Sequence, residues 1–275
     1  MLRAPIAVAR LRVVTAIRDR VLAGPSGFAQ LARWSLPSEA LVLQQTAEPM
    51  PLGRDIIELS AADLVVTVGT GMSLRQLNDE LRSHRLCLPY WPVEDALRDE
   101  PLAALLGFNL PHLGERTYRS WREWSLGATL VTGTGRIGKF GSRVVKSVAG
   151  YDGHQLFVGA RGTLAVVAEI NLRLYPLADP PEQNLSPNLI HRVRAADCAS
   201  ACAGLHGFLH EPTHTIYAEA DALAEITRYQ GDFLLRAGCG KANFAFEDPS
   251  QAHYWRRARD IWDPENRLNP GALGL

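Results

Sequence analysis

Apolar residues recur at helical spacing near the start of the chain, at Ile6, Leu11, Val14, Ile17 and Val21, with arginines between them. This predicts an amphipathic helix over 3–23, stopped by Gly24-Pro25-Ser26-Gly27. A basic amphipathic helix can lie on a membrane, but such a stripe more commonly packs on a core. The pattern then shortens into apolar runs. Residues 40–44, 56–59 and 64–68 read as strands. Ser73-Leu74-Arg75-Gln76 opens a helix with a capping box, and its stripe is Leu74, Leu77 and Leu81, ending near His84. Residues 86–88 are extended again, up to Pro89. The stretch 95–106 reads as a helix interrupted by Pro101.

Residues 121–132 suit paired strands, followed by a glycine-rich hairpin loop from Gly133-Thr134-Gly135 through Gly138 and Gly141. Nearby, His112, Arg116, Tyr118, Trp121 and Trp124 are chemically capable, but their ordinary role is packing or surface. The stretch 144–176 organises the rest. Gly150, Gly159 and Gly162 punctuate it, and the run 163–174 is β-branched, aliphatic and partly alternating. It reads as one or two strands behind a glycine turn. Such glycines make tight turns, and they also let backbone approach a ligand closely. Asp179-Pro180-Pro181 is a proline-rich connector and the best domain boundary. Beyond it, strands at 189–193, 213–218 and 233–235 alternate with helices at 195–207 and 222–229, a β-α-β-α-β unit.

The 275 residues allow one large domain or two small ones. Hydrophobic content of 47% and charged content of 21% are those of an ordinary globular protein. Lys+Arg and Asp+Glu are equal at 29, which argues against broad electrostatic binding to nucleic acid or an anionic membrane. Cys87, Cys198, Cys202 and Cys239 form no CxxC pair, so no zinc site or ferredoxin-type cluster is expected. They read as reduced, buried thiols of a cytoplasmic protein. No apolar run approaches the roughly 18 residues that span a bilayer. The N-terminus lacks the apolar core and cleavage site of a signal peptide.

Lys146, Val148, Ala149, Gly150, Tyr151, Asp152, Leu156, Val158, Gly159, Gly162, Thr163, Leu164, Val166 and Glu169 share an unbroken spacing. They match the pattern K-N-V-A-G-Y-D-x-x-(K/R)-L-x-V-G-S-x-G-T-L-G-V-(I/L)-T-E. Asp263-Pro264 and Leu268-Asn269-Pro270-Gly271 match a tail, D-P-x-x-x-x-N-P-G. On these residues the chain resembles the flavin-binding E subunit of bacterial glycolate oxidase, among the FAD-linked oxidases of the vanillyl-alcohol-oxidase type. Ser147, Ala160 and Ala165 depart from the pattern.

The resemblance implies an α+β fold. A PCMH-type FAD-binding domain of two α/β subdomains would span 1–178. A small, reduced α/β substrate cap would span 179–236, and a segment returning to the flavin domain 237–275. It implies FAD as cofactor, held around Gly133, Gly150, Tyr151, Asp152, Gly159, Gly162, Thr163, Leu164, Val167 and Asn269. The implied activity is oxidation of a 2-hydroxy acid, of the glycolate or D-lactate class, by hydride transfer to FAD. The implied setting is a complex with a catalytic flavoprotein subunit and an iron–sulfur subunit, cytoplasmic or held at the inner membrane through those partners. No residue is marked as a catalytic base.

Three segments depart from the family. Its glycine/serine-rich loop wraps the FAD pyrophosphate, but here Gln45-Thr46-Ala47-Glu48-Pro49 stands in its place. An acid and a donor-less proline replace a nest of backbone donors. Pro101-Leu102-Ala103-Ala104-Leu105-Leu106-Gly107 stands for a segment that begins with a Gly-Gly pair near the flavin. In the segment 237–244, Gly240 and Asn243 replace a His and an Arg suited to a substrate carboxylate. Lys241, displaced by one position, is the remaining substrate-binding candidate. A second reading therefore stands beside the first: an FAD-free scaffold or regulatory subunit of such a complex. A non-flavin hydrolase has no GxSxG or paired-carboxylate signal.

Overall fold

The computed structural model describes residues 3–23, 33–35, 42–44, 50–92, 95–109, 112–142, 153–160, 162–180, 192–194, 207–210, 215–218 and 249–269. Helices and antiparallel sheets make it an α+β structure. Its centre is a five-stranded antiparallel sheet in the order β3-β4-β8-β6-β7. The strands are β3 (Ile56–Ser60), β4 (Val65–Gly69), β6 (Ser125–Thr132), β7 (Ile137–Gly141) and β8 (Ala165–Arg173). The glycine-punctuated stretch thus leads into the central strand. β8 pairs with β4 from Val65 opposite Arg173 to Gly69 opposite Glu169, and with β6 on its other side.

Helix α1 (Arg3–Leu22) buries Val14, Ile17 and Val21 against Val131, Val166 and Ala168 of the sheet and Leu268 of the tail. The helix packs on a core, as its stripe predicts. Leu11 is a correction, because it is 65% exposed. At about 100° per residue it lies roughly a quarter turn off the line of Val14, Ile17 and Val21, and Arg10 takes the stripe position instead. Helix α2 (Leu74–Arg82) carries the expected capping box, with Ser73 accepting from the Gln76 N–H, and buries Leu74, Leu77 and Leu81 completely. Pro101 separates a 3-10 turn at Asp95–Asp99 from helix α3 (Leu102–Phe108).

The stretch 121–132 is not a pair of strands. Helix α4 (Glu115–Tyr118) is followed by the single turn α5 (Trp121–Trp124) and then by β6. The reason is local. Ser120 N–H and Oγ–H both donate to the Glu123 carboxylate, at 3.1 and 2.6 Å, closing a helical turn that drops both tryptophans into the core. Trp121, Trp124, Tyr90 and His112 meet at ring-centroid distances of 5.0–6.2 Å. Between α4 and α5, Arg119 is held at φ 73°, with its carbonyl 2.7 Å from His112 Nε2. A side chain in this left-handed region costs about 1–2 kcal/mol, and glycine returns part of that as unfolded-chain entropy. Arg119→Gly should therefore stabilise the protein by about 0.5–1 kcal/mol in urea denaturation. A loss of stability would mean that the Arg119 side chain holds the turn.

Smaller sheets pair β1 (Arg33–Ser35) with β2 (Val42–Gln44), and β5 (Leu86–Cys87) with β9 (Tyr175–Pro176). Burial pushes the Cys87 thiol pKa up, as suits a reduced internal cysteine. Beyond the proline connector, β10 (Arg192–Arg194), β11 (Gly207–His210) and β12 (Thr215–Ala218) form an antiparallel sheet in the order β10-β12-β11. Gly207 opens a strand where the sequence predicts the end of a helix; the rest of that expected helix, 195–206, lies outside the described residues. The expected helix at 222–229 and strand at 233–235 lie outside the described residues. A last helix, α6 (Pro249–Trp262), is unanticipated. It sets Trp255, Ala258 and Trp262 against the main core, with Trp262 in ring contact with Phe140 and Phe157.

Candidate cofactor site

The turn before β8 has the backbone that its glycines permit. Gly159 sits at φ 80° and Gly162 at φ 64°. The Thr163 hydroxyl, just after them, donates to the Ala160 carbonyl at 2.7 Å. Two neighbours dock on this turn and on β8. Gly159 N–H donates to the Leu106 carbonyl at 3.0 Å, seating the turn on the end of α3. The Thr70 hydroxyl donates to the Val167 carbonyl at 2.5 Å, and Thr70 N–H to the Ala168 carbonyl at 3.2 Å. The N–H groups of Leu102 and Ala103 bond to the carbonyls of Met72 and Thr70, both at 2.9 Å. The post-β4 turn, α3 and the 159–164 turn thus form one hydrogen-bonded unit.

A second unit forms around the β6–β7 hairpin. The described part of the tail packs against it. Gly133 N–H donates to the Trp262 carbonyl at 2.9 Å, and Arg267 reaches the Gly133 carbonyl at 3.3 Å. Asp263, 1% exposed, accepts from the N–H groups of Arg267 and Leu268 at 2.9 and 2.7 Å. Asn269 is buried at φ 44°.

Glu169 of β8 carries the site's strongest electrostatics. It accepts from Arg10 Nε at 2.8 Å and Nη2 at 2.5 Å, and from the Thr129 hydroxyl at 2.8 Å. Burial alone would raise its pKa. The hydrogen bonds from Arg10 and Thr129, with the charges of Arg10 and Lys139, outweigh burial and hold it below its ordinary value.

The structure thus joins Gly159 to α3 and Val167 to Thr70, with Gly162, Thr163 and Leu164 between these two in the chain, and sets Gly133 beside Asp263 of the tail that also carries Asn269. Gly150, Tyr151, Asp152 and Lys241 lie outside the described residues. Sequence reasoning missed Arg10, Thr70 and Asp263 as structural partners, although Asp263 stands in the tail motif and Thr70 between two glycines. His112 is buried with both ring nitrogens engaged, Nε2 by the Arg119 carbonyl and Nδ1 by the Gly114 N–H, so packing accounts for it. Among the described residues, no three His, Cys, Asp or Glu side chains group to hold a metal ion, and no helix is long and apolar enough to cross a membrane.

FAD requires free backbone donors for its phosphates and open space beside the glycines. At α3, where alanines replace the family's glycines, the first two N–H groups are already bonded. A side chain on Gly133 would lie 2.5 Å from Asp263 Cγ, so that bare face is filled by an acid. The sheet face bearing Val166 and Ala168 is covered by α1 together with Met50 and Leu52. Thr163, Leu164 and Val167 are themselves buried, the last two in the main core, so these residues do not fit the cofactor.

No family model matches the chain. It is 32% identical over 126 residues to D-2-hydroxyglutarate dehydrogenase of Xanthomonas citri pv. viticola, covering 46% of this chain and 25% of the relative. It is 35% identical over 127 residues to glycolate oxidase subunit GlcE of Escherichia coli, covering 45% and 35%. An uncharacterized FAD-linked oxidoreductase of Mycobacterium tuberculosis is 30% identical over 132 residues, covering 48% and 28%. The chain therefore spans between 25% and 35% of the length of these curated relatives. A solved structure of alkyldihydroxyacetonephosphate synthase overlays 55% of this chain and 26% of its own, at a TM-score of 0.38 and 13% identity. The relatives by sequence support a place for this chain in the FAD-linked oxidase family.

Proposed function

We propose that the chain is a subunit of an FAD-linked oxidoreductase that oxidises a 2-hydroxy acid of the glycolate or D-lactate class. In this reading it plays the part of a glycolate oxidase E subunit, beside a catalytic flavoprotein subunit and an iron–sulfur subunit. The observation that carries the reading is the left-handed turn at Gly159 and Gly162, which delivers Thr163, Leu164 and Val167 into the central strand. A run this specific, at the middle of the sheet, is a signature of the fold as well as a turn. The relatives' names point to the same chemistry, two of them being a 2-hydroxy-acid dehydrogenase and a glycolate oxidase subunit.

The cofactor set in this reading is Gly133, Gly150, Tyr151, Asp152, Gly159, Gly162, Thr163, Leu164, Val167 and Asn269, with Lys241 as the substrate contact. The PCMH-type domain runs over 1–178, the reduced cap over 179–236 and the returning segment over 237–275. The protein works in the cytoplasm, or at the inner membrane through its partners.

The FAD-free scaffold is the second reading, and one observation favours it: Asp263 fills the space beside Gly133. The visible spectrum of the supernatant after denaturing the purified chain separates the two. Flavin released at about one per chain supports the first. A colourless protein that takes up no added FAD removes cofactor binding and leaves the scaffold. Copurification with a larger flavoprotein and an iron–sulfur protein supports the complex in either case, and a chain that purifies alone from its native cells sinks it.

A further inference from the structure

Helix α1 is apolar on two sides. One side holds Val14, Ile17 and Val21 against the sheet. Another leaves three large apolar side chains in water, Val8 at 52%, Leu11 at 65% and Leu22 at 44% exposure. Single exposed leucines are ordinary on a protein surface, but these share one line. Val8, Leu11, Thr15, Arg18 and Leu22 follow one another at alternating steps of three and four residues. That is the spacing by which one helix packs along another, and it runs down the flank of α1 beside the buried side.

The residues of the stripe point to what covers it, because the line matches itself when turned antiparallel. With Leu11 set opposite Leu22 of a second copy, Thr15 falls opposite Arg18, Arg18 opposite Thr15 and Leu22 opposite Leu11. Leucine then meets leucine at both ends. In the middle a hydroxyl meets a guanidinium that its own Asp19 already holds at 2.9 Å. Arg12 and Asp19, both exposed, border the stripe on its outward side, opposite in sign and one heptad apart. The same antiparallel turn brings Arg12 of each copy toward Asp19 of the other. A parallel pair would instead set Arg12 against Arg12, Arg18 against Arg18 and Asp19 against Asp19.

We propose that two copies of this chain associate about a two-fold axis through α1, antiparallel, with Leu11 of each against Leu22 of the other. A two-fold contact is closed, so association stops at the dimer. It needs neither FAD nor another subunit, and so stands or falls apart from the function proposed above. From Val8 to Leu22 the stripe is about 21 Å long. An interface this small gives a dissociation constant on the order of 10 µM.

Sedimentation equilibrium of the purified full chain, at concentrations below and above that constant, tests the pairing. The expected mass rises from 30.2 kDa toward that of two chains. Leu11→Glu should weaken association at least tenfold, and the fold tolerates it because Leu11 already faces water. Arg12→Asp should weaken it about threefold, and adding Asp19→Arg should restore part of that. Leu11→Cys with Leu22→Cys should give a disulfide-linked dimer on oxidation. Within one helix these positions are about 16 Å apart, so the link must join two copies, and Leu11→Cys alone should add no cross-link to the wild-type background. A wild-type chain that stays monomeric well above the expected constant overturns the proposal. A dimer that Leu11→Glu leaves intact has its interface elsewhere and overturns it too. If oxidation in extracts of the native cells links the double-cysteine chain to a different protein and not to itself, the stripe belongs to that partner and the self-pairing falls.

Discussion

Gly133→Ala should destabilise the chain by about 3 kcal/mol. The added methyl would stand 2.5 Å from Asp263 Cγ and 2.6 Å from its Cβ, so something must move. Asp263 cannot swing aside freely. Its carboxylate holds the N–H groups of Arg267 and Leu268, and the preceding carbonyl, of Trp262, holds the Gly133 N–H. Rotating the carboxylate gives up two charge-assisted hydrogen bonds, each contributing about 1.5–3 kcal/mol. Moving the tail instead exposes Leu268, fully buried, at a cost of about 1.5–3 kcal/mol. Either route reaches the same size. Denaturant midpoints with an unchanged slope measure the loss. Gly138→Ala is the control, because its nearest neighbour is the edge of the Phe140 ring at 3.1 Å, which can give way. It should stay within about 0.5 kcal/mol of wild type. Asp263→Ala in the Gly133→Ala background should cost less than the two single losses added together, since the residues collide. A Gly133→Ala protein as stable as wild type would mean that the tail is not seated on the hairpin.

How much of this seat was legible in the sequence depends on how local each piece is. The Ser73–Gln76 capping box and the stripe Leu74, Leu77 and Leu81 lie within a few residues of one another, and both form as read. The glycine turn before β8 is equally local. Asp263 was visible in its Asp-Pro motif, but its partner Gly133 lies on a distant hairpin, and no spacing rule joins them. Helix α6 did carry a signal, in Trp255, Ala258 and Trp262 at helical spacing, which the more specific tail motif that follows it overshadowed. The one-turn helix at Trp121–Trp124 defeats the strand expectation because a single carboxylate, Glu123, can satisfy Ser120 twice. Aromatic and β-branched content alone is blind to that. The rewritten segments were legible by halves. The loss of glycine at 45–49 and of the Gly-Gly pair at 101–107 shows in the sequence, while the bonds that engage the Leu102 and Ala103 N–H groups come from Met72 and Thr70 and need the tertiary structure. Leu11 and Arg10 make the same point. Hydropathy favours leucine for the buried stripe, yet arginine takes it because a buried carboxylate 159 residues away awaits it.

Arg10→Ala should cost about 2 kcal/mol near neutral pH, and the cost should shrink in acid. Removing one partner of a fully buried ion pair costs about 3–5 kcal/mol, because the other charge stays buried alone. Here the side chain of Glu169 is 6% exposed but that of Arg10 is 35% exposed, so water reaches the pair and the lower figure applies. The pH dependence follows from the direction of the shift. Glu169 is held below its ordinary pKa in the folded chain, so its contribution is complete above the unfolded value, about 4.3, and is lost as pH falls through the folded value. In Arg10→Ala the main depressing partner is gone and burial pushes the carboxyl upward. That reverses the sign: the variant loses stability as pH rises from about 4.3 through the raised pKa. The two stability curves should therefore converge near pH 4 and separate toward pH 7. Glu169→Gln in the Arg10→Ala background should recover part of the loss, because a neutral amide leaves no buried charge while still accepting from Thr129. Salt should affect this pair little. The exposed Arg75–Asp95–Asp99 cluster, in contrast, should lose its attraction as ionic strength rises. A constant gap between the two curves from pH 4 to pH 7 would mean that Glu169 is not held ionised by Arg10. The anchor that closes α1 over the sheet would then have to be apolar contact alone.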